Sequence, residues 1–289
     1  MSTPTTSLYD IAPGVQLADR YKVVGPHRQG GLSTAFEVED LTDGSRRELQ
    51  LFPPGLFESA EQRAHFLGQL EPWREVGSET VLALRDLLDL EPSSLGLVTD
   101  YPEGESLRQV LNREQRLSVE VTQRIGLQLL DGLQSVHDSG LVHGDVKPYT
   151  VHLVAADGEE FGRPLLVDGG LTPGLWTAKG LGDKTALIGT PYYAPVEQFG
   201  GDAPDVLSDV YNVATVLYEC ATGVLPWRGK TFLEVFQSKL EAGPPAMSER
   251  APDVEVPSAF EEVVARGCRA KRTDRWQSAA DFREALAGI

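Results

Sequence analysis

Cysteine, cationic residues and long apolar runs are all scarce in this sequence, and each shortage removes a class of protein. Of 289 residues only Cys220 and Cys268 are cysteines, with neither metal-ligand spacing nor the density of a disulfide scaffold. Two buried thiols in a reducing compartment are expected. No stretch approaches the roughly 18 apolar residues of a membrane span. The opening MSTPTTSLYDIAPG lacks a cationic segment followed by an apolar run. A soluble, cytoplasmic chain without membrane attachment is therefore expected. Lys and Arg number 26 against 43 Asp and Glu, a formal charge of −17. Such a field repels phosphodiester backbones and anionic lipid, so nucleic acid is a poor partner; it is also what a soluble surface carries.

What is present falls into two compositional regions. Residues 1–19, rich in Ser, Thr and Pro, read as a flexible arm. From 20 to 101 the pattern is mainly short strands: YKVVG, STAFEVED and RRELQLF, with LTDGS as a hairpin connection, then TVLALRDLLDL and LGLVTDY. One helix, roughly 59–75, interrupts them. From 102 to 289 helices dominate. The clearest spans 118–139, with a Ser118 cap, Val121, Ile125, Leu129, Leu133 and Val136 on one face, and Gly140 beyond its end. Others are expected at 206–222, 258–268 and 277–287. A small strand-rich region followed by a larger helical one is an α+β arrangement.

Eight motifs follow one another in a telling order: RQGGLSTAFEVED, ELQLFPP, LVTDYPEGESL, LVHGDVKPYTV, LLVDGGL, GTPYYAPVEQ, SDVYNVATVLYECATGVLPW and KRTDRWQSAADFREAL. Together they resemble the bacterial eukaryotic-like (Hanks-type) Ser/Thr protein kinases over about residues 20–287. The resemblance implies a bilobal protein-kinase-like fold, with a β-rich N-lobe carrying one helix and a larger helical C-lobe.

Position by position, the resemblance also implies losses. Phosphoryl transfer rests on positioning and on neutralising phosphate charge, so each part can be checked singly. The glycines of the phosphate-covering loop correspond to Arg28, Gly30 and Ser33, which keeps only the middle one. The lysine that reaches the phosphates corresponds to Gln50, and its glutamate partner to Gln69; the two amides could still bond to each other. Asp100 and Tyr101 fall in the hinge. Glu48 stands where relatives have alanine above the adenine ring, and His152 where they have leucine below it. These two either meet across the slot and occlude it, or Glu48 turns to solvent and His152 bonds to backbone.

The residues matching the catalytic aspartate and its companion lysine are kept as Asp145 and Lys147. The second metal's asparagine is Thr150, the preceding arginine is Gly144, and the metal triplet reads Asp168-Gly169-Gly170. Glu197 and Arg275 match the family's buried structural ion pair, and Asp209 the acid that braces the catalytic loop.

Since the residues that brace the fold are kept and those that hold ATP are largely exchanged, the resemblance implies a pseudokinase. It would act as a protein-binding scaffold or allosteric regulator, with Asp145, Lys147 and Asp168 vestigial, no metal unless at Asp168, and at most weak ATP and Mg²⁺ binding. Implied partners are an active Ser/Thr kinase, or a forkhead-associated phosphothreonine-binding domain reading Thr177, Thr185 or Thr190 after phosphorylation. One alternative stays open, a weak nucleotide-binding switch or atypical phosphotransferase using Asp145 and Asp168, with Arg28 or Lys22 as substitute cation.

Overall fold

Alternation of buried and exposed side chains builds one antiparallel sheet from the first third of the chain. In this computed structural model, which describes residues 11–29, 32–90, 94–181, 191–240 and 243–289, its strands are β1 (Gln16–Leu17), β2 (Tyr21–Gln29), β3 (Thr34–Asp40), β4 (Arg46–Phe52), β5 (Leu84–Leu90) and β6 (Ser94–Asp100). They lie in the order β1-β2-β3-β4-β6-β5. Tyr21, Val23, Phe36, Val38, Leu49, Leu51 and Val98 share one buried cluster, because period-two strands present every second residue to one face. Pairing starts at Gln16, with Ile11 and Val15 packed on that cluster, so ordered chain begins before Tyr21.

Two irregularities interrupt the regular elements of this unit. The register of β2 against β3 slips between Val23 and Gly25 and again between Pro26 and Arg28. A proline cannot donate to the ladder, and such bulges re-aim the side chains beside them. The expected helix over 59–75 is α1 (Ala60–Leu70) followed by a 3-10 turn over Glu71–Glu75. Ser59 caps it by accepting from the Gln62 N–H, and Pro72, lacking an N–H, stops the α-helical ladder.

The remaining chain adds β7 (Glu105–Ser106), α2 (Leu107–Glu114), α3 (Val119–Asp138), β8 (Val151–Val154), β9 (Arg163–Leu166), α4 (Leu171–Ala178), α5 (Val196–Phe199), α6 (Val206–Thr222), α7 (Phe232–Lys239), α8 (Met247–Arg250), α9 (Ser258–Gly267) and α10 (Ala279–Ala287). Helix α6 is buried on nearly every side, and its polar residues Ser208, Asp209, Asn212, Thr215, Glu219 and Thr222 are buried with it, bonded to neighbouring groups. It packs against α3 and α9, and α10 covers α3. At Gly126 of α3 a Cβ would come 2.9 Å from side-chain carbons of both Leu217 and Leu286, so the absence of a side chain there lets α3 approach α6 and α10 closely. Among the described residues no helix is long and apolar enough to cross a membrane. Both cysteines are free and buried, and burial pushes the Cys268 thiol up to about 12.

By internal packing the chain forms two units, Met1–Glu75 with Leu82–Pro102, and Val76–Val81 with Glu103–Ile289. Residues 76–81 join the second unit because Val81 bridges Leu166 in parallel and the Leu166 N–H donates to the Thr80 carbonyl at 2.8 Å.

Candidate functional site

In the larger unit, the loop before β8 is held by one carboxylate at the start of α6. Asp209 accepts from the backbone N–H of His143 at 2.9 Å and of Gly144 at 2.7 Å, and lies 2.9 Å from His137 Nε2. His143 is buried, and its Nε2 donates to the Val167 carbonyl at 3.0 Å while Nδ1 faces the Asp145 N–H at 3.4 Å. Burial lowers its pKa, and this bonding pattern is that of the neutral ring. The loop is thereby fixed at Asp145. Its Oδ2 lies 2.5 Å from the Lys147 ammonium, with the aspartate side chain 22 % exposed. Burial raises the Asp145 pKa, and Lys147 opposes the rise.

Thr150 and Gly144, where the family resemblance implies other residues, have structural uses in this loop. The Thr150 hydroxyl donates to the Asp145 carbonyl at 2.8 Å and accepts from the Lys147 N–H at 3.0 Å. It therefore stitches the turn and is not presented as a metal ligand. Gly144 has φ +80°, and a Cβ there would lie 2.5 Å from ring carbons of Pro173. An arginine at this position would meet both the left-handed backbone and α4.

Asp168, half-buried, also has positive φ, +64°. Gly169 follows it, and Gly170 caps α4. Asp168 offers one carboxylate toward a cation, while the Thr150 hydroxyl is occupied by backbone. These residues suit at most a single Mg²⁺ shared with phosphate oxygens, not a two-metal site. Thr177 is exposed on α4, its hydroxyl donating to the Pro173 carbonyl at 3.0 Å. Thr185, Thr190 and Gly30 lie outside the described residues.

The smaller unit holds a charged cluster that sequence reasoning expected elsewhere. Glu48 on β4 is fully buried. Arg28 grips it with two nitrogens, Nε to Oε2 at 2.8 Å and Nη2 to Oε1 at 2.7 Å. His27 Nδ1 lies 2.6 Å from Oε2, and Gln50 Nε2 donates to Oε1 at 3.2 Å. Desolvation alone would raise the Glu48 pKa, but Arg28 and then His27 bring it down to about 2. Glu48 thus finds its partners Arg28 and His27 on β2, where sequence analysis looked to His152 or to solvent. His152 sits buried in β8, paired in register with Ser106 and Leu165.

Arg28, expected at a glycine position of the phosphate-covering loop or as a substitute cation, is half-buried in this pair. His27 was missed altogether. Consecutive residues of a regular strand face opposite ways, and the register slip beside Pro26 is what brings both to one carboxylate; that proline was the available signal. Nor do the two glutamines form the amide pair considered from sequence. Gln50 turns to Glu48, and Gln69, exposed on α1, contacts His65 Nε2 at 3.5 Å. Ser33 is half-buried just before β3.

In the hinge segment Asp100 accepts from Arg47 at 2.5 Å and from Arg85 at 2.6 and 2.8 Å. The Tyr101 ring lies under the Arg46 guanidinium at 3.4 Å and 4.6 Å from the His27 ring.

Two buried cations brace the larger unit. Arg275, fully buried, donates to both Glu197 oxygens at 2.6 and 2.7 Å, and also to the carbonyls of Arg269, Ala270 and Leu207. The residue sequence reasoning passed over is Lys239, buried in α7. Its ammonium donates to the Tyr192 and Ala194 carbonyls at 2.8 and 2.7 Å and faces the rings of Phe199, Tyr211 and Trp227. Burial pushes its pKa well below the usual lysine value. A lysine in a helical run ordinarily reads as surface, and no local pattern marks this one.

Comparison with known proteins gives this geometry its context. Residues 57–284 match the family described as "Protein kinase domain". The match begins after the strands that carry Arg28 and Glu48. A curated relative, serine/threonine-protein kinase pkn3 of Myxococcus xanthus, is 26% identical over all of this chain and 53% of its own length. PknD of Mycobacterium tuberculosis is 27% identical over 88% of this chain and 37% of its own. The chain thus spans about half or less of the length of these relatives. Among solved structures, the Mycobacterium tuberculosis PknI kinase domain superposes with a TM-score of 0.74 at 22% identity, covering 96% of this chain and 99% of that one. The strand-rich and helical units, the braced loop and the matched residues together place this chain in the protein kinase domain family.

Proposed function

We propose that this chain is a pseudokinase: a kinase-fold protein that does not transfer phosphate and works by presenting a surface to another protein, as scaffold or allosteric regulator in bacterial Ser/Thr kinase signalling. The observation that carries this reading is the Arg28–Glu48 pair. The family resemblance implies a small apolar residue at position 48 and a lysine at 50, an apolar slot with a phosphate cation two residues on. Here a fully buried carboxylate is held by a guanidinium, and the neighbouring Gln50 carries no charge. Breaking that pair to admit a purine would leave the buried carboxylate with His27 and Gln50 only, which costs about 2–3 kcal/mol.

The partner follows from the same reading. An active kinase of the same fold, or a forkhead-associated domain reading a phosphorylated Thr177, Thr185 or Thr190, fits a chain whose Gly144 has no room for the arginine that would capture such a phosphate internally.

The test is thermal unfolding with and without millimolar ATP and Mg²⁺. A ligand at a hundred times its Kd stabilises by about 2.7 kcal/mol and would move the midpoint by several degrees. No shift is expected; a shift that disappears in Asp168→Ala would overturn the proposal. One observation favours a second reading, a nucleotide-binding switch or atypical phosphotransferase. The Asp145–Lys147 pair is kept at 2.5 Å, with burial raising the aspartate's pKa in the direction a general base needs. That reading predicts the Asp168-dependent shift.

A further inference from the structure

Lys239 is a buried titratable group that the proposed function does not use. Its side chain is fully buried at the end of α7. Its Nζ has two oxygen partners, the carbonyls of Tyr192 and Ala194 at 2.8 and 2.7 Å. The rings of Phe199, Tyr211 and Trp227 enclose the rest, their centres 5.7, 5.0 and 5.8 Å away. Among the described residues no carboxylate pairs with it. Glu197, the acid whose charge reaches it, is held by Arg275 at 2.6 and 2.7 Å. That guanidinium lies 4.9 Å from the same Tyr211 ring. A charge on Lys239 therefore lacks a counter-charge and faces a like one, at a place closed to water.

Donor counting agrees. An ammonium has three N–H donors and a neutral amine two, and two carbonyls accept. The rings can receive the charged form through cation–π contact, so protonation there is costly without being forbidden. Burial is the largest influence on the Lys239 pKa and lowers it well below the lysine value; Arg275 adds to that, while Cys268 and Glu197 oppose it. The other groups around it are held in one state. The Cys268 thiol is pushed up to about 12, the Tyr211 hydroxyl is pushed well above its ordinary value, and Glu197 and Arg275 are bonded to each other. Tyr192 faces Lys239 through its backbone carbonyl, its hydroxyl donating to the Gly229 carbonyl at 3.2 Å.

What this amine holds is a small attachment. Helix α7 meets the segment before α5 through one cluster, Ala194, Phe199 and Val235 with Tyr192 and Phe236 packed against it. So few buried contacts make local opening of α7 cheaper than global unfolding, and the two Nζ bonds are a large share of what keeps it closed.

We propose that Lys239 is a proton-operated clasp: as a neutral amine it fastens α7 to residues 192–194, and uptake of a proton loosens that attachment. The clasp operates whether or not the chain binds nucleotide. Released into water, Lys239 would hold its proton up to its ordinary value of 10.5; in its cage it gives the proton up at lower pH. The open state then binds more protons than the closed one, so closure strengthens as pH rises through the caged group's titration and weakens as pH falls.

The test combines lysine-selective ¹³C NMR of the intact chain from pH 6 to 10.5, tractable because the lysines number seven, with hydrogen exchange at pH 6 and 8.5 corrected for the intrinsic rate. The Lys239 Cε signal, assigned by its loss in Lys239→Met, should titrate at least about one pH unit below the exposed lysines. Amides of α7 and of residues 192–194 should open several-fold more often at pH 6 than at pH 8.5, relative to those of α3. In Lys239→Met that ratio should be close to one. A Lys239 signal titrating with the exposed lysines, α7 opening that does not change with pH, or the same pH dependence in Lys239→Met would each overturn the proposal. Should Lys239→Met fail to fold, the signal is assigned through single Arg substitutions of the other lysines, and the wild-type titration and exchange decide.

Discussion

The fully buried charges Glu48, Asp209 and Arg275 are held differently in the two units. In the larger one, Asp209 and Arg275 form multiple bonds to backbone, each side chain pinning several loops at once. In the smaller one, Glu48 forms its bonds with the side chains of Arg28, His27 and Gln50 on two neighbouring strands. A charge tied to backbone braces a shape that other residues need. A charge tied to side chains fills the space those side chains occupy, and could be exchanged as a set. The difference teaches that one fold can keep its frame while changing what the frame holds.

Removing a brace should break this contrast most severely. Arg275→Ala leaves Glu197 buried and unpaired with three carbonyls short of a donor, and should cost about 3–5 kcal/mol, read as a lower urea midpoint at unchanged m-value. Next comes Arg28→Ala, which strands Glu48 with His27 and Gln50 only. A loss of about 2–3 kcal/mol is expected, whereas Arg28→Leu/Glu48→Leu should restore most of it, because the pair is removed as a set. If the double variant were no better than the single, Glu48 would have to be counted among the braces.

The same pair sets an acid response. The folded-state pKa of Glu48, about 2, lies below its ordinary 4.5, so its ionisation stabilises the fold above about pH 4.5. That contribution is lost as pH falls from 4.5 towards 2. Arg28→Ala removes the guanidinium that offsets burial, so acid unfolding should begin at higher pH than in the wild type, which a pH series of melting curves would show.

A smaller effect sharpens the comparison from the other side. Gly144→Arg introduces the arginine that the family resemblance implies here, but it must adopt positive φ against Pro173 and should destabilise by about 2 kcal/mol without gain of nucleotide binding. Smallest is Ser118→Ala, about 1 kcal/mol for losing the cap of α3, a benchmark that should be the same whether or not Arg28 is present.

Much of this was legible in the residues. The Ser118 cap of α3 and the bounds 206–222 of α6 follow from local pattern and capping chemistry, and they fall where the sequence put them. Glu197 with Arg275 could be paired on the resemblance. Three features were not legible in the same way. The helix over 59–75 read as continuous because its apolar spacing outweighed Pro72. His27 was missed because strand period assigns it and Arg28 to opposite faces. Lys239 was missed because nothing within its helix says that three aromatic rings and two carbonyls from distant segments enclose it.

Sequence alone determined a strand-rich region followed by a helical one, the Ser118 cap, the acidic balance, and the order of motifs that carries the family resemblance. These are properties of neighbouring residues, or of motifs in order, and need no knowledge of distant contacts. Tertiary structure alone decided which side chains meet Glu48, what Thr150 and Gly144 do in their loop, and that α7 and its cap leave Phe232, Leu233 and Leu240 exposed. Each depends on a register slip, a backbone angle or a packing face, and the same residues could have adopted another arrangement until long-range contacts selected one.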